Sequence, residues 1–277
     1  MGLRINTNVQ SISAQRQLGN TKRQLDNNLR KLSSGERITR AADDAAGLAI
    51  SENLKAQIRG LQQAKRNADD GISLVQTAEG GLSEISNIII RLRELAVQSA
   101  SDTVGDTERG FSNIEFQQLK DEIQRISESS EFNSRKLLNG QGGLVEIQVG
   151  FRNNPTNDRI KFDSGSIDST LASLGLTAES VANKEGAQLA LAKLDDALVQ
   201  VNGARADLGA LQNRLTSVVN NIGVSVENYS EANSRIRDVD VAKETADMTR
   251  NQILTQAGAS VLAQANQTPQ LALKLLS

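Results

Sequence analysis

The chain has 277 residues and a net charge of −2, it lacks cysteine and histidine, and aromatic residues make up 2 % of it. Disulfides, thiolate or imidazole catalysis and histidine-ligated metals are therefore excluded. Because large rings usually dominate core burial, their scarcity favours thin helix–helix seams of aliphatic side chains over a thick globular core.

Residues 1–42 predict a marginal amphipathic helix with few large aliphatic side chains. Their burial offsets only part of the backbone entropy that ordering the segment costs, so we expect this helix to depend on neighbours.

Residues 1–40 carry eight basic and two acidic side chains. Such an arm can bind nucleic acid or a membrane, but it has no aromatic residue for base stacking, so a solvated or partner-facing helix surface is favoured. The first residues lack the apolar stretch of a signal peptide and no apolar run is long enough to span a membrane, so we expect any export to use a route other than a cleaved leader.

A break is predicted at residues 32–36, because the Ser-Ser-Gly sequence competes with helical backbone hydrogen bonding. Asp43 or Asp44 then caps a long helix that continues to about Ser99. An apolar stripe with spacings of three and four runs along this helix, as expected for a seam against another helix. Its members are Leu61, Ala64, Ala68, Gly71, Val75, Ala78, Leu82, Ile85, Ile89, Leu92 and Ala96.

A shorter helix and a β-hairpin are predicted for the middle of the chain. Residues 101–106 end the long helix, and the shorter helix closes near Ser129–Ser130. Alternating apolar residues at 145–149 predict a half-buried strand, and residues 160–162 the returning strand. The glycines at 140–143 match no phosphate-binding motif, so turn formation explains them better.

A second stripe of the same spacing begins near Asn183 and is followed by an Ala- and Gln-rich tail at 240–277. Two such stripes separated by a short middle segment can fold back on each other. The predicted fold is therefore mainly α, a long antiparallel coiled-coil helical bundle with the N- and C-terminal halves paired, plus a small β-hairpin region in the middle. The second stripe consists of Ala187, Ala190, Leu194, Ala197, Val201, Ala204, Leu208, Leu211, Leu215, Val218, Ile222, Ser225, Tyr229, Ala232, Ile236 and Val239.

Several strings of the sequence resemble one family, the bacterial flagellins, which are the filament subunits of the flagellum. Together these strings extend over both halves of the chain. They are INTN at 5–8, LSSGERI at 32–38, DDAAGLAI at 43–50, DGISLVQTAEG at 70–80, RELAVQS at 93–99, LGALQNRL at 208–215, SRIRD at 234–238, and the run 256–270.

The resemblance implies a structural subunit that polymerises into the flagellar filament for swimming motility, and not an enzyme. It implies terminal helices at 1–42 and 238–277 that form the filament core and are disordered in the monomer. A helical rod domain at 43–139 and 183–237 and a short β-hairpin surface segment at 140–182 complete the chain. The terminal helices are expected to fold as they assemble, by burying aliphatic side chains against other subunits. The residues expected to do so are Val9, Ile12, Leu25, Leu29, Leu32, Leu254, Val261, Leu262, Leu273 and Leu276.

The resemblance also implies secretion by type III export, with a filament that is extracellular, or periplasmic or sheathed, depending on the organism. The expected partners are other flagellin subunits, the hook–filament junction and filament cap proteins, an export chaperone at the C-terminal tail, and the export apparatus. No cofactor, metal, nucleic acid or membrane insertion is expected.

A receptor surface is implied as well. In flagellins that stimulate Toll-like receptor 5, an arginine, a leucine and a glutamate contact the receptor, and the matching positions are Arg91, Leu95 and Glu115. The competing interpretation places Leu95 against a neighbouring subunit and both charges on a solvated face.

Two alternatives to a filament subunit stay open. A hook–filament junction protein shares flagellin-like ends, although the match at 93–99 and 256–267 favours flagellin. An enzyme is the other class, but in the pairs Asp43–Asp44 and Asp69–Asp70 neighbouring helical positions point about 100° apart and do not share a site. Capping and solvation explain these carboxylates better.

Overall fold

The computed structural model describes residues 7–274, and most of this chain is helical. It divides into two compact units, one holding the residues up to Ala56 and from Asn228 onward, the other holding Gln57–Glu227. The domain bounds drawn from the sequence stay a prediction. The helices are α1 (Val9–Ser34), α2 (Ala45–Ser99), α3 (Asp106–Ser129), α4 (Lys184–Arg237) and α5 (Val241–Lys274). Between α3 and α4 lie β1 (Glu131–Phe132), β2 (Arg135–Lys136), β3 (Leu144–Gln148), β4 (Arg159–Asp163) and a 3-10 turn (Ser164–Ser166).

The end of α1 and the start of α2 are fixed by local polar contacts. Gly35 has a φ of +72°, in the left-handed region that favours glycine, and its N–H donates to the Lys31 carbonyl. The Asp44 carboxylate accepts a hydrogen bond from the Gly47 N–H (2.8 Å) in the first turn of α2. The predicted break and the predicted aspartate cap are both confirmed.

Arg109 closes the turn between α2 and α3. Its buried guanidinium donates to the carbonyls of Ser99 and Ser101, both at 2.9 Å, and pairs with Asp106 at 2.7 Å. These bonds satisfy carbonyls that the C-terminal end of α2 leaves free, where the helix dipole also favours a cation. Nothing in the residue pattern singled out this arginine, because arginine is usually exposed.

The core of the second unit is built from the two predicted stripes. Every stripe residue of α2 from Leu61 to Ala96 is buried, and the α4 stripe is buried or half-buried from Ala187 to Ile222. Side chains of both stripes form one apolar cluster that also includes Phe116 of α3. The aliphatic periodicity therefore predicted the buried faces correctly.

Ion pairs give the relative direction of α2 and α4 within this unit. Arg93 of α2 pairs with Asp195 of α4 at 2.7 Å, and Glu79 pairs with Arg205 at 3.2 Å. Residue numbers fall on α4 as they rise on α2, so the helices are antiparallel. The predicted mainly α bundle with paired halves is confirmed.

The predicted hairpin is formed by the antiparallel strands β3 and β4, with Val145 opposite Phe162 and Ile147 opposite Ile160. It packs closely on α2 at Gly71, where an added Cβ would lie 2.6 Å from Cδ1 of Ile147. The missing side chain lets the strand approach the helix.

A second hairpin, formed by β1 and β2, was not predicted. Its turn residues Asn133 and Ser134 have φ values of +48° and +63°, as two-residue hairpin turns require. Strands of two residues are too short for apolar alternation to be visible in a sequence.

The linkers that adjoin α1 and α5 are joined by backbone hydrogen bonds. The Arg37 N–H donates to the Arg237 carbonyl (2.6 Å), and the Val239 N–H donates to the Gly35 carbonyl (3.0 Å). The Arg237 side chain also pairs with Glu36 at 2.8 Å. These contacts hold the C-terminal end of α1 beside the N-terminal end of α5.

Candidate functional site

Helices α1 and α5 pack along a seam with heptad spacing. Buried or half-buried positions recur at intervals of three and four on both helices, as in a coiled coil of two helices. The Ser11 hydroxyl donates to Asn266 (2.7 Å) and the Asn28 amide donates to Glu244 (2.7 Å), so the pair is antiparallel. The α1 seam positions are Ser11, Ala14, Leu18, Thr21, Leu25, Asn28 and Leu32, and the α5 seam positions are Glu244, Met248, Asn251, Thr255, Gly258, Leu262 and Ala265.

The most buried side chains of this seam are polar. Thr21, Asn28, Glu244 and Asn251 are each at most 9 % exposed, and Ala265 is the apolar residue buried to a similar extent. By contrast, the leucines of the seam are only half-buried. A seam of this composition gains less from hydrophobic burial than a Leu-rich coiled coil does.

Three of these polar side chains form a hydrogen-bonded cluster. The Asn28 amide donates to Oε1 of Glu244 at 2.7 Å, and the Asn251 amide donates to Oδ1 of Asn28 at 2.9 Å. The ammonium group of Lys31 lies 3.8 Å from the same Glu244 oxygen. The cluster satisfies these groups only while α1 and α5 are paired.

Large aliphatic side chains lie on the outer faces of the same two helices. Seven of them are 47–62 % exposed, so the pair leaves about half of each in water. Placing polar residues inside and aliphatic residues outside reverses the usual distribution, and it leaves apolar surface for other molecules to cover. These outer residues are Val9, Ile12, Leu29, Val241, Ile253, Leu254 and Val261.

The predicted assembly residues fall into two groups. Val9, Ile12, Leu29, Leu254 and Val261 lie on the outer faces. The other group, Leu25, Leu32 and Leu262, lies in the seam. Leu276 and the Leu273 side chain lie outside the described residues, and the role of the whole set stays a prediction.

Val241 and Ile253 are also exposed aliphatic residues of α5 and were not predicted. Ile253 lies two residues from the seam positions Asn251 and Thr255, which turns it towards the opposite face of the helix, so a helical projection of α5 would have found it.

The predicted receptor residues lie on α2 and α3 of the second unit. Arg91 pairs with Glu115 at 2.8 Å and with Glu94 at 2.9 Å, and these three side chains are about half exposed. Hydrogen bonds to Glu94 and Glu115 raise the pKa of the Arg91 guanidinium above its usual value. Leu95 is 3 % exposed and belongs to the apolar core, so its side chain is not part of this exposed surface.

The described residues contain no metal-binding cluster and no membrane-spanning helix. In residues 7–274, no group of three or more carboxylate, cysteine or histidine side chains is placed to hold a metal ion. Within the same range, no helix is long and apolar enough to cross a membrane. The α1–α5 pair and the charged surface around Arg91 are thus the two features to be explained.

Comparisons with known proteins give a consistent result. The family model of the bacterial flagellin N-terminal helical region matches residues 5–142, and that of the C-terminal helical region matches residues 191–276. A flagellin of Halalkalibacterium halodurans is 47 % identical over 272 residues, covering 98 % of this chain and 99 % of that protein. A flagellar filament 30.7 kDa core protein of Treponema maltophilum is 43 % identical, with 99 % of each chain covered.

A solved structure is also similar. The crystal structure of Bacillus cereus flagellin is 33 % identical with a TM-score of 0.51, and the match covers 57 % of this chain and 88 % of that one.

Proposed function

The chain belongs to the bacterial flagellins and is a structural subunit of the flagellar filament, and from this premise we propose how it assembles. Helices α1 and α5 become stably paired only as the subunit joins the filament. Their outer aliphatic faces are then buried against other subunits, and the resulting filament serves swimming motility. The terminal helices are the filament-core domain, and the α2–α3–α4 unit is the rod domain.

The composition of the α1–α5 pair is the single observation that carries this proposal. Its buried seam is polar at Thr21, Asn28, Glu244 and Asn251, whereas its large aliphatic side chains are about half exposed. Ordering two helices of 26 and 34 residues costs much backbone entropy. Contacts within the pair alone offset little of that cost, so covering the outer faces supplies the missing burial.

Charged residues on the outer faces test the proposal. The variant Ile12→Asp with Val261→Asp places a carboxylate at two sites that are 58 % and 59 % exposed in the subunit. We expect this variant to lose polymerisation, because each carboxylate would be buried without a partner at a subunit contact. Filament yield by sedimentation and electron microscopy is the measurement.

The matched control is Gln24→Asp with Gln252→Asp, which adds the same charge at exposed polar sites of the same helices. This control is expected to keep most of its filament yield, and thermal unfolding of the second unit should be the same in both variants. Normal filaments from Ile12→Asp with Val261→Asp would refute burial of the outer faces.

The further partners follow from the family and are part of the proposal. The subunit is exported by the type III route, with a chaperone on its C-terminal tail, and polymerises between the hook–filament junction and the cap. Surface burial on assembly explains why such a tail needs a chaperone, since a helix with exposed aliphatic residues is prone to aggregate. Pull-down of a chaperone by residues 241–277, and not by residues 57–227, is the expected result.

Recognition by Toll-like receptor 5 through the Arg91, Glu94 and Glu115 surface is a second proposal. Its support is a half-exposed charged cluster that brings together the matching positions Arg91 and Glu115, whereas the matching Leu95 is buried. Arg91→Glu with Glu115→Arg reverses the charges and keeps the ion pair, so receptor activation by monomer should fall about tenfold or more. Exchanging the exposed pair Glu122 and Arg125 is the control, and equal activation by both variants would refute the assignment.

A further inference from the structure

The polar cluster of Asn28, Glu244 and Asn251 is an unfavourable way to hold two helices together. Glu244 is 9 % exposed, and its Oε1 accepts a hydrogen bond from Asn28 with Lys31 at 3.8 Å. Removing a carboxylate from water costs more than such contacts usually return, so well-packed apolar residues in its place are often neutral or stabilising. The seam therefore contains a determinant that lowers the stability of the pair.

The cluster also occupies seam positions that apolar side chains could have filled. It lies towards the end of the pair where α1 ends and α5 begins, and Asn28 and Asn251 each have seam residues on both sides along their helix. Leucine is the usual residue for such positions in stable coiled coils, and both helices do carry leucines elsewhere. The three side chains of the cluster are thus the hydrogen-bonded part of a polar seam, and their positions are ones that leucine could occupy.

The apolar surface that could compensate lies on the other side of the helices. The outer aliphatic residues contribute little to the pair in an isolated subunit, because they stay about half exposed there. They contribute fully only when another surface covers them. The stability of the α1–α5 pair is therefore divided between an unfavourable inner layer and an outer layer that requires a partner.

We propose that Asn28, Glu244 and Asn251 keep α1 and α5 from pairing stably in the free subunit, so that pairing depends on assembly. This inference rests on the proposed function and names the residues that make the pairing of α1 and α5 depend on assembly. In the filament the cluster is tolerated, since its hydrogen bonds are satisfied and the outer faces are buried. In the free subunit the same cluster shifts the pair toward the open state.

A seam with leucine in place of the cluster, the three-leucine seam, tests the inference directly. The variant carries Asn28→Leu, Glu244→Leu and Asn251→Leu, which removes the three hydrogen-bonded side chains together and leaves only the partly exposed Lys31 without its partner. The matched control carries Gln24→Leu, Thr245→Leu and Gln252→Leu, which adds three leucines to exposed sites of the same helices. Amide hydrogen exchange of the full-length monomer, below the concentration at which filaments form, is the measurement.

The seam variant is expected to slow exchange in residues 9–34 and 241–267 by about tenfold or more relative to the wild-type monomer. The control variant is expected to stay within about threefold of wild type, since exposed leucines change helix propensity only slightly. Equal protection in the two variants would overturn the role assigned to the cluster. Wild-type termini that are already as protected as α3 would contradict coupled folding itself, which is a separate failure.

Disulfide formation gives a second readout that works at low concentration, where an aggregating variant can still be measured. The chain has no cysteine, so Ser11→Cys with Asn266→Cys is the only thiol pair, and the native side chains are in contact (2.7 Å). The rate of intramolecular disulfide formation should rise about tenfold or more when the three-leucine seam is added. An unchanged or slower rate would overturn the proposal.

Discussion

The buried ammonium group of Lys120 holds the segment that precedes α4. It donates hydrogen bonds to the carbonyls of Thr177 (3.0 Å) and Glu179 (2.8 Å). The side chain is buried beside Phe116. Burial disfavours the charged form and lowers the pKa of Lys120 below its usual value.

Replacing Lys120 by methionine should lower the free energy of unfolding of the second unit by about 1–3 kcal/mol at pH 7. The reason is that the carbonyls of Thr177 and Glu179 lose a charged donor. Urea denaturation followed by circular dichroism is the measurement. Lys193→Met, which removes an exposed lysine of α4, is the control and should change the unfolding free energy little.

The pH dependence of the free energy of unfolding of the same two variants gives an independent prediction. Between the lowered pKa of Lys120 and 10.5, the unfolded chain holds a proton that the folded chain has released. The free energy of unfolding therefore increases, and the fold becomes more stable, by this contribution as pH rises through this window. This contribution should be present in wild type and in Lys193→Met and missing from Lys120→Met; the same slope in all three proteins would show that the ammonium is not buried.

Residue types at helix ends were predictable where the chemistry is local. Gly35 and Asp44 act through neighbours three or four positions away, so the sequence contains all the information. Arg109 and Lys120 act on carbonyls of other segments, which no local pattern reveals. For such residues the partner is known only once the chain is folded.

At the scale of elements, the aliphatic stripes of α2 and α4 were predictable and the α1–α5 seam was not. In the stripes, periodicity and burial coincide from Leu61 to Ala96. In α1 the helix buries Thr21 and Asn28 and leaves Val9 and Ile12 exposed. The general rule that aliphatic residues lie inside and polar residues outside therefore does not describe this pair.

Glycine positions offer a test at this scale. An added Cβ at Gly142 would lie 2.2 Å from the Lys136 carbonyl oxygen, a backbone atom that cannot move away cheaply. Gly142→Ala should therefore destabilise the hairpin region by about 1–3 kcal/mol. The matched change is Gly110→Ala in α3, where nothing lies within 4 Å, and it should stabilise the chain by up to about 1 kcal/mol.

Thermal unfolding of the two glycine variants checks this prediction. Opposite shifts of the melting temperature are expected, downward for Gly142→Ala and upward for Gly110→Ala. Equal shifts would mean that space at Gly142 does not limit the packing of the segment around β2.

At the scale of the whole molecule, the two units have different sources of stability. The second unit buries its two aliphatic stripes against each other and against α3. The pair α1–α5 buries polar residues and leaves its aliphatic residues about half exposed. This difference in composition is what the proposed coupling of folding to assembly requires.

Amide hydrogen exchange compared between monomer and filament tests this central claim most directly. In the monomer, amides of α1 and α5 should exchange at least about a hundredfold faster than those of buried turns of α2, because local opening of the terminal pair costs little free energy. In the filament, the same terminal amides should become as protected as α2. Terminal amides that are equally protected in monomer and filament would contradict the account.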